Sequence, residues 1–229
     1  SAFIDLIHML QLEITNAEIS LAAPLSYDTE ISKGDVFVSD MFNLYKYENM
    51  LYTMKLSGKE IKDALEMSYA LWTNQMKSPD DHLLLLKERK KGQENYASFV
   101  NFSFNFDSAA GIIYTVDVTK PKGEKVTITS MADGTPFSLD KIYKVALNSY
   151  RGNGGGELLT KGSGISQDEL KDRILYSTDK DLRYYLMQYI EKKGVIEPHA
   201  LGQWKFIPEE WVEPAAKRDY EYLFGKVEK

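Results

Sequence analysis

One segment restricts the possible folds more than any other, because its pattern changes from that of a strand to that of a helix within a few residues. Across residues 49–56, large apolar side chains recur at every second position, which is the period of a β-strand. Ser57 follows, and Glu60 stands three residues further on, which is the capping-box pattern of a helix N-terminus. Apolar residues then continue at helical spacing to Tyr69. We therefore expect a strand that leads directly into a helix.

The rest of the chain divides into further elements by the same criteria. An amphipathic helix is predicted from Phe3 to about Asn16, and two more helices are expected to begin at 166–169 and at 177–178, the second running to Lys193 before the stop signal Gly194. Strands are predicted at 19–25, 99–106, 112–118, 125–131, 144–147 and 203–207. We expect the four strands between 99 and 147 to form an antiparallel meander.

These elements group as an α+β fold rather than as alternating βαβ units. The expected architecture is one of mostly antiparallel sheets packed with helices in layers. Residues 1–207 are predicted to form a single domain, in which the charged and turn-rich segment 77–97 is a surface insertion. Residues 208–229 are predicted to form a charged C-terminal tail.

Charge and composition exclude several classes of function. The net charge of -6 disfavours binding to a nucleic-acid polymer, although a small anion can still be bound by a few N–H groups. The absence of cysteine rules out disulfides and thiolate metal sites. No apolar run is long enough for a membrane span, and the start at Ser1 is expected to be that of a trimmed fragment.

A glycine-rich run at residues 148–156 is the strongest local candidate for a binding site. Four of the five residues 152–156 are glycines, which permit positive φ angles and a close approach of the backbone to a ligand. The run matches neither a dinucleotide fingerprint nor a P-loop. A flexible loop has the same composition, but Tyr150 and Arg151 directly before the glycines favour a site.

Two tyrosines, Tyr45 and Tyr47, lie in the connection before the strand at 49–56. We expect one of them to pack inward and the other to face a cleft, although core packing of both is the simpler alternative. An aromatic ring that stacks on a nucleobase contributes about 1–3 kcal/mol and tolerates several bases.

No catalytic or metal-binding group is predicted in this chain. Its three histidines, His8, His82 and His199, stand apart from one another and form none of the familiar metal-ligand spacings. A two-metal phosphoesterase centre needs a larger set of converging ligands. Structural or surface roles are expected for all three histidines.

Five short segments carry a family resemblance. They are Leu-Ala-Ala-Pro-Leu-Ser at 21–26, Leu-Tyr-Lys-Tyr-Glu-Asn at 44–49, Leu-Glu-Met-Ser at 65–68, Phe-Asn-Phe-Asp at 104–107 and Asn-Ser-Tyr-Arg at 148–151. In this order they resemble the C-terminal domain of the 5′-nucleotidase family, over about residues 3–207. The most similar branch is that of the periplasmic 2′,3′-cyclic-nucleotide 2′-phosphodiesterase/3′-nucleotidases.

The resemblance implies one half of a two-domain hydrolase of nucleotide catabolism. In this family an N-terminal metallophosphoesterase domain, covalently linked, holds two divalent metal ions and the catalytic groups, while the C-terminal domain binds the nucleoside or nucleotide. It implies the same layered α+β fold, no cofactor in this domain, and a periplasmic or secreted location.

The resemblance also implies site residues. The family holds the base between two aromatic rings, and the matching positions are Tyr47 and Tyr150. Arg151 is expected either to meet a phosphate or to hold the loop. Further candidates for polar or backbone contacts to the ligand are Asn49, Asp107, Gly111, Asn153, Gly154 and Gly155.

Two departures point away from a plain 5′-nucleotidase. That branch has an Asn-Gly-Gly-x-Arg motif after the first strand, where this chain has residues 22–26 and no arginine. It also has an aspartate for the ribose hydroxyls where this chain has Gly156. Three alternatives stay open: a 5′-nucleotidase or UDP-sugar hydrolase, a non-enzymatic module that binds a glycan or a protein, and a structural domain without a ligand.

Overall fold

The computed structural model describes residues 2–25, 31, 33–88 and 98–225. Its helices are α1 (Ala2–Thr15), α2 (Val38–Leu44), α3 (Gly58–Trp72), α4 (Ser149–Gly152), α5 (Gln167–Arg173), α6 (Leu182–Lys193) and α7 (Glu209–Phe224). Its strands are β1 (Ile19–Ala22), β2 (Met50–Ser57), β3 (Ser108–Ala110), β4 (Ile112–Asp117), β5 (Val126–Met131), β6 (Ile142–Asn148), β7 (Ile174–Asp181) and β8 (Trp204–Ile207). The α+β prediction is confirmed.

The strands form two sheets of different size. The larger has the order β3-β1-β6-β2-β7, and the smaller has the order β5-β4-β8. In the larger sheet β1 runs parallel to β6, whereas β2 and β3 run antiparallel to their neighbours. The carboxyl ends of β1 and β6 therefore meet the amino ends of β2 and β3 at one edge of the sheet.

Apolar side chains cover both faces of the larger sheet. On one face, Val145 and Leu147 of β6 join α3 and the smaller sheet in a shared core that includes Leu65. On the other face, Ala146 packs with α1, α2 and α6. Successive residues of β6 thus point to opposite layers. Burial of a side chain such as Leu65, which is 0% exposed, stabilises the fold by roughly 2 kcal/mol.

The capping box predicted at Ser57 and the helix start predicted at 166–169 are confirmed. The Ser57 hydroxyl accepts from the N–H of Glu60, and the Glu60 carboxylate accepts from the N–H of Ser57 at 2.7 Å. Ser166 and Glu169 form the same reciprocal pair at the start of α5. These local bonds satisfy N–H groups that a helix cannot pair internally, which is why the pattern locates a helix start so reliably.

The strand predicted at 99–106 is wrong. Ser103–Asn105 form a 3₁₀ turn, in which the N–H of Phe106 donates to the carbonyl of Ser103 at 2.9 Å, and β3 begins only at Ser108. Phenylalanines alternate with polar residues here, as they do in a strand. Their rings pack against other aromatic rings rather than against one face of a sheet, so the period misleads.

The predicted start of the long helix at 177–178 is also wrong. Residues 174–181 form the edge strand β7, and the Thr178 hydroxyl accepts from the N–H of Leu51 in β2 at 2.9 Å. Asp181 is the actual cap, because its carboxylate accepts from the N–H of Tyr184 at 2.7 Å. The predicted end is right, since Gly194 takes a positive φ of 71° directly after α6.

The antiparallel meander is only half present. β4 and β5 form the expected hairpin, but β6 leaves it and lies between β1 and β2 in the other sheet. Val145, Ala146 and Leu147 are buried on the two faces of the sheet, as expected for a strand with a neighbour on each side.

The C-terminal segment contains the helix α7, which packs on the start of the predicted insertion. Ala215 shares a small core with Met76 and Leu83. The buried Asp219 pairs with His82 and accepts from the N–H of Leu84 at 2.8 Å. Residues 89–97 of the predicted insertion and 226–229 of the predicted tail lie outside the described residues.

Candidate functional site

The candidate residues converge at the edge of the larger sheet where four strand ends meet. Tyr47 precedes β2, Tyr150 lies in α4 directly after β6, and Phe104 lies in the 3₁₀ turn before β3. Three separate segments of the chain thus supply the three rings, and the order of the strands brings them together.

The three rings form one partly exposed aromatic cluster. Phe104 lies edge-on to Tyr47, with 6.2 Å between ring centroids, and edge-on to Tyr150, with 6.1 Å. Tyr47 is 47% exposed and Tyr150 is 39% exposed. Phe102, 71% exposed, stacks on Phe104 at 5.1 Å. Aromatic faces left open to solvent in such a cluster are suited to stacking on a planar ligand.

A buried ion pair holds the Tyr150 side of this cluster. Arg151, 2% exposed, donates from Nε to Asp107 Oδ2 at 2.9 Å and from Nη2 to Asp107 Oδ1 at 2.8 Å. The same guanidinium donates to the carbonyl of Phe104 at 3.1 Å and to that of Gly155. Two-point pairing of this kind fixes orientation as well as distance. Of the two roles expected for Arg151, these contacts match that of holding the loop.

The glycines after Tyr150 are explained by tight packing within the protein. A Cβ atom on Gly155 would lie 2.5 Å from the ring of Tyr150. Gly156 has a φ of +67°, and its Cβ would lie 2.1 Å from Asn105 Oδ1 and 2.3 Å from Arg151 Nη1. Position 156 therefore has no room for a side chain while Asn105 and Arg151 keep their places.

The tyrosine connection before β2 has one buried and one exposed ring, as expected. Tyr45 is 3% exposed, and burial raises the pKa of its hydroxyl to about 12, against the opposing influence of Asn148 and Asn49. Asn49 is partly buried beside this hydroxyl and accepts at its carbonyl from the N–H of Leu182 at 2.9 Å. Tyr47 is left facing solvent.

The remaining candidates fall in different places. Asn153 is exposed at the glycine loop, where its side-chain amide donates to the hydroxyl of Tyr52 at 3.4 Å. Gly154 follows it with a φ of 89°. Gly111 lies at the far end of β3, beside the backbone of Glu18, and the structure does not bring it to the aromatic cluster.

The histidines have partners unrelated to this cluster. His8 is fully buried between the hydroxyls of Ser20, at 2.8 Å, and Ser108, at 3.1 Å, and burial lowers its pKa to about 3. His82 pairs with Asp219 under α7, and His199 is exposed. Among the described residues no group of three or more acidic, histidine or cysteine side chains is placed to hold a metal ion. No described helix has the length and apolarity to cross a membrane.

Phe104 and Asn105 are the site residues that sequence reasoning did not single out. Both belong to the motif at 104–107, but a predicted strand gave no reason to expect a ring turned toward Tyr47 and Tyr150. The run of alternating phenylalanines directly before Asp107 is the signal that the sequence offers.

Two sheets, flanking helices and an aromatic cluster at shared strand ends define an α+β domain of the type that the motifs suggested. The chain belongs to the 5′-nucleotidase family, because the family model described as "5′-nucleotidase, C-terminal domain" matches residues 1–161.

Curated relatives carry nucleotide-hydrolase names. The chain is 32% identical over 197 residues to the trifunctional nucleotide phosphoesterase protein YfkN of Bacillus subtilis, covering 80% of this chain and 12% of that protein. It is 28% identical over 200 residues to the 2′,3′-cyclic-nucleotide 2′-phosphodiesterase/3′-nucleotidase of Haemophilus influenzae, covering 81% of this chain and 27% of that protein. The chain thus spans between about an eighth and a quarter of these relatives.

Solved structures share the fold. A 5′-nucleotidase precursor from Thermus thermophilus superposes with a TM-score of 0.64 at 22% identity, covering 89% of this chain and 35% of that one. This likeness supports the architecture.

Proposed function

We propose that this chain is the nucleoside-recognition domain of a two-domain nucleotide phosphoesterase, and that the base lies between Tyr47 and Tyr150. The observation that carries the proposal is the partly exposed cluster in which Phe104 contacts both tyrosines. Each open ring face can stack on a base, and stacking of this kind binds a base without distinguishing which base it is.

The polar groups around the cluster suit a nucleoside. Asn49 and Asn153 supply amide groups that can both donate and accept hydrogen bonds to a base or a ribose. Arg151 and Asp107 pair with each other, so neither side chain leaves an unpaired charge beside the ligand. The N–H of Gly154 donates to the carbonyl of Arg151 at 3.0 Å, so Gly155 is left as the glycine whose backbone N–H could reach the ligand on the Tyr150 side.

The substrate class that fits best is a 2′,3′-cyclic or 3′-nucleotide. Position 156 cannot carry the ribose-binding aspartate, because its Cβ would collide with Asn105 and Arg151. The arginine of the Asn-Gly-Gly-x-Arg motif has no counterpart at residues 22–26. A domain without the arginine does not hold a 5′-phosphate through it, and a domain without the aspartate does not hold the ribose hydroxyls through it. Two relatives of this substrate class at 28% identity support the same choice.

The cutting step is proposed to occur in a covalently linked metallophosphoesterase domain with two divalent metal ions. Metal ions in such pairs activate a water and stabilise the leaving oxygen of a phosphate ester. This domain would deliver the nucleoside part to that centre, in a periplasmic or secreted protein.

Calorimetric titration of adenosine tests the proposal. The wild-type chain should bind it, and Tyr47→Ala and Tyr150→Ala should each weaken binding by roughly five- to a hundredfold, which corresponds to the loss of one stacked ring. Tyr220→Ala is the matched control, because Tyr220 is an exposed tyrosine on α7, and it should keep the wild-type affinity.

The position of the phosphate gives a second test. Adenosine 5′-phosphate should bind no more tightly than adenosine, because the arginine that would meet a 5′-phosphate is missing at residues 22–26. Unchanged heats of binding in both tyrosine variants would contradict the stacking site. A clear preference for adenosine 5′-phosphate over adenosine would favour the 5′-nucleotidase alternative.

A further inference from the structure

The connection that carries Tyr47 is held by the amino end of α6. The N–H of Leu182 donates to the carbonyl of Asn49 at 2.9 Å, which fixes the end of the connection next to β2. Asp181 caps the helix and so keeps its first turn in place. No catalytic or ligand-binding role was expected of this helix.

Arg183, in the first turn of α6, donates hydrogen bonds to the connection that carries Tyr47. It is 6% exposed, and its Nη1 donates to the carbonyl of Tyr45 at 3.2 Å, while its Nη2 donates to Glu48 Oε1 at 3.2 Å. These two contacts bracket Tyr47, one on each side along the chain. A third contact places the guanidinium 4.0 Å from the ring centroid of Phe42.

The chemistry of these contacts favours an arginine. A planar guanidinium can donate to two acceptors in different directions and still lie flat on an aromatic ring. A lysine ammonium is a compact point of charge without this planar fork, so it matches the same three contacts less well. The charge partners of Arg183 are Glu48, whose side chain is 78% exposed, and Asp181 at 3.5 Å. The ion pair with Glu48 is weak because water competes for it, so the geometry of the donor set matters more than the charge.

We propose that Arg183 is a positioning residue for the base site, which sets the place of the Tyr47 ring by holding Tyr45 and Glu48 on either side of it. The inference rests on the proposed function, because it assigns Arg183 a role in binding through Tyr47. It does not touch the ligand.

A double-mutant cycle on the full 229-residue chain separates positioning from general stability. The dissociation constant of adenosine is measured for wild type, Arg183→Lys, Tyr47→Ala and the double variant, with Tyr150→Ala and its double variant as the second background. Arg183→Lys should weaken binding roughly fivefold in wild type and in Tyr150→Ala, but less than about twofold in Tyr47→Ala. Arg173→Lys, which alters a peripheral pair with Glu60, is the control and should leave the affinity unchanged.

The outcomes are distinct. An equal loss in the Tyr47→Ala and Tyr150→Ala backgrounds, or no loss at all, overturns the positioning role. Failure of the wild-type chain to bind adenosine, or wild-type affinity in Tyr47→Ala, overturns the proposed function instead. If Arg183→Lys does not fold, Phe42→Leu replaces it in the same cycle. This variant removes the half-exposed ring beside the guanidinium. It should weaken adenosine binding roughly two- to threefold, with the same dependence on Tyr47.

Discussion

The two sides of the proposed base site are held by different kinds of contact. On the Tyr150 side, Arg151 forms a buried two-point ion pair with Asp107, and both side chains are at most 5% exposed. On the Tyr47 side, Arg183 is also buried, but the carboxylate of Glu48 that it contacts is 78% exposed. One side is fixed by a charge pair shielded from water, and the other by a backbone carbonyl and an acid that water can reach.

This difference predicts different costs of mutation. A buried charge that loses its partner destabilises the whole fold, because it can neither be solvated nor paired. An exposed partner is replaced by water at little cost. Changes on the Tyr150 side should therefore lower stability, whereas changes on the Tyr47 side should lower ligand affinity with little effect on stability.

The largest expected effect is that of Asp107→Asn. Loss of the carboxylate leaves the Arg151 guanidinium buried without a counter-charge, and we expect the free energy of unfolding to fall by about 3–5 kcal/mol. Urea denaturation measures it. Asp63→Asn removes the partner of Lys59 in a solvent-exposed pair and serves as the control. Equal stability of the two variants would show that the buried pair does not hold the Tyr150 side.

Gly156→Ala should come next. The residue has a φ of +67°, and its Cβ would lie 2.3 Å from Arg151 Nη1, so we expect a loss of about 2 kcal/mol or more. Gly134→Ala is a matched control, because Gly134 has a φ of +86° but no atom within 4 Å of the added Cβ. A similar loss in both variants would mean that backbone strain alone, and not packing against Arg151, decides the cost.

The pH dependence of stability tests the role of the buried His8, which contacts the residue that follows Asp107. His8 donates to or accepts from Ser108, the next residue along the chain, and burial lowers its pKa to about 3 from 6.5. The unfolded chain therefore binds a proton at His8 below pH 6.5, whereas the folded chain does not bind it until about pH 3. The free energy of unfolding falls as the pH is lowered between these two values. The slope should be about 1 kcal/mol per pH unit near pH 5 and should decrease by that amount in His8→Gln. An unchanged slope in His8→Gln would contradict this assignment.

The smallest effect is expected for Glu48→Gln. The change removes an exposed acid from the Tyr47 side, so the free energy of unfolding should change by less than about 1 kcal/mol, and less still in high salt. Thermal unfolding at low and high ionic strength measures it. A loss as large as that of Asp107→Asn would show that the two sides are held alike.

Local sequence patterns predicted the helix starts at Ser57 and Ser166 because the atoms of a capping box all lie within four residues. The strand at 99–106 was predicted wrongly because alternation carries no information about which surface the rings meet. The pairing of Arg151 with Asp107 spans 44 positions and depends on the order of strands in the sheet. The motif set placed Tyr47 and Tyr150 together, whereas Phe104 and Arg183 became visible only from their contacts.

A crystal structure of the chain with bound adenosine tests the central claim most directly. We predict the adenine ring between the rings of Tyr47 and Tyr150, with its edge toward Phe104. Adenosine bound elsewhere would contradict the account, for example in the groove of about 490 Å³ that Phe37 and Met187 line, with the ring faces of Tyr47 and Tyr150 left free.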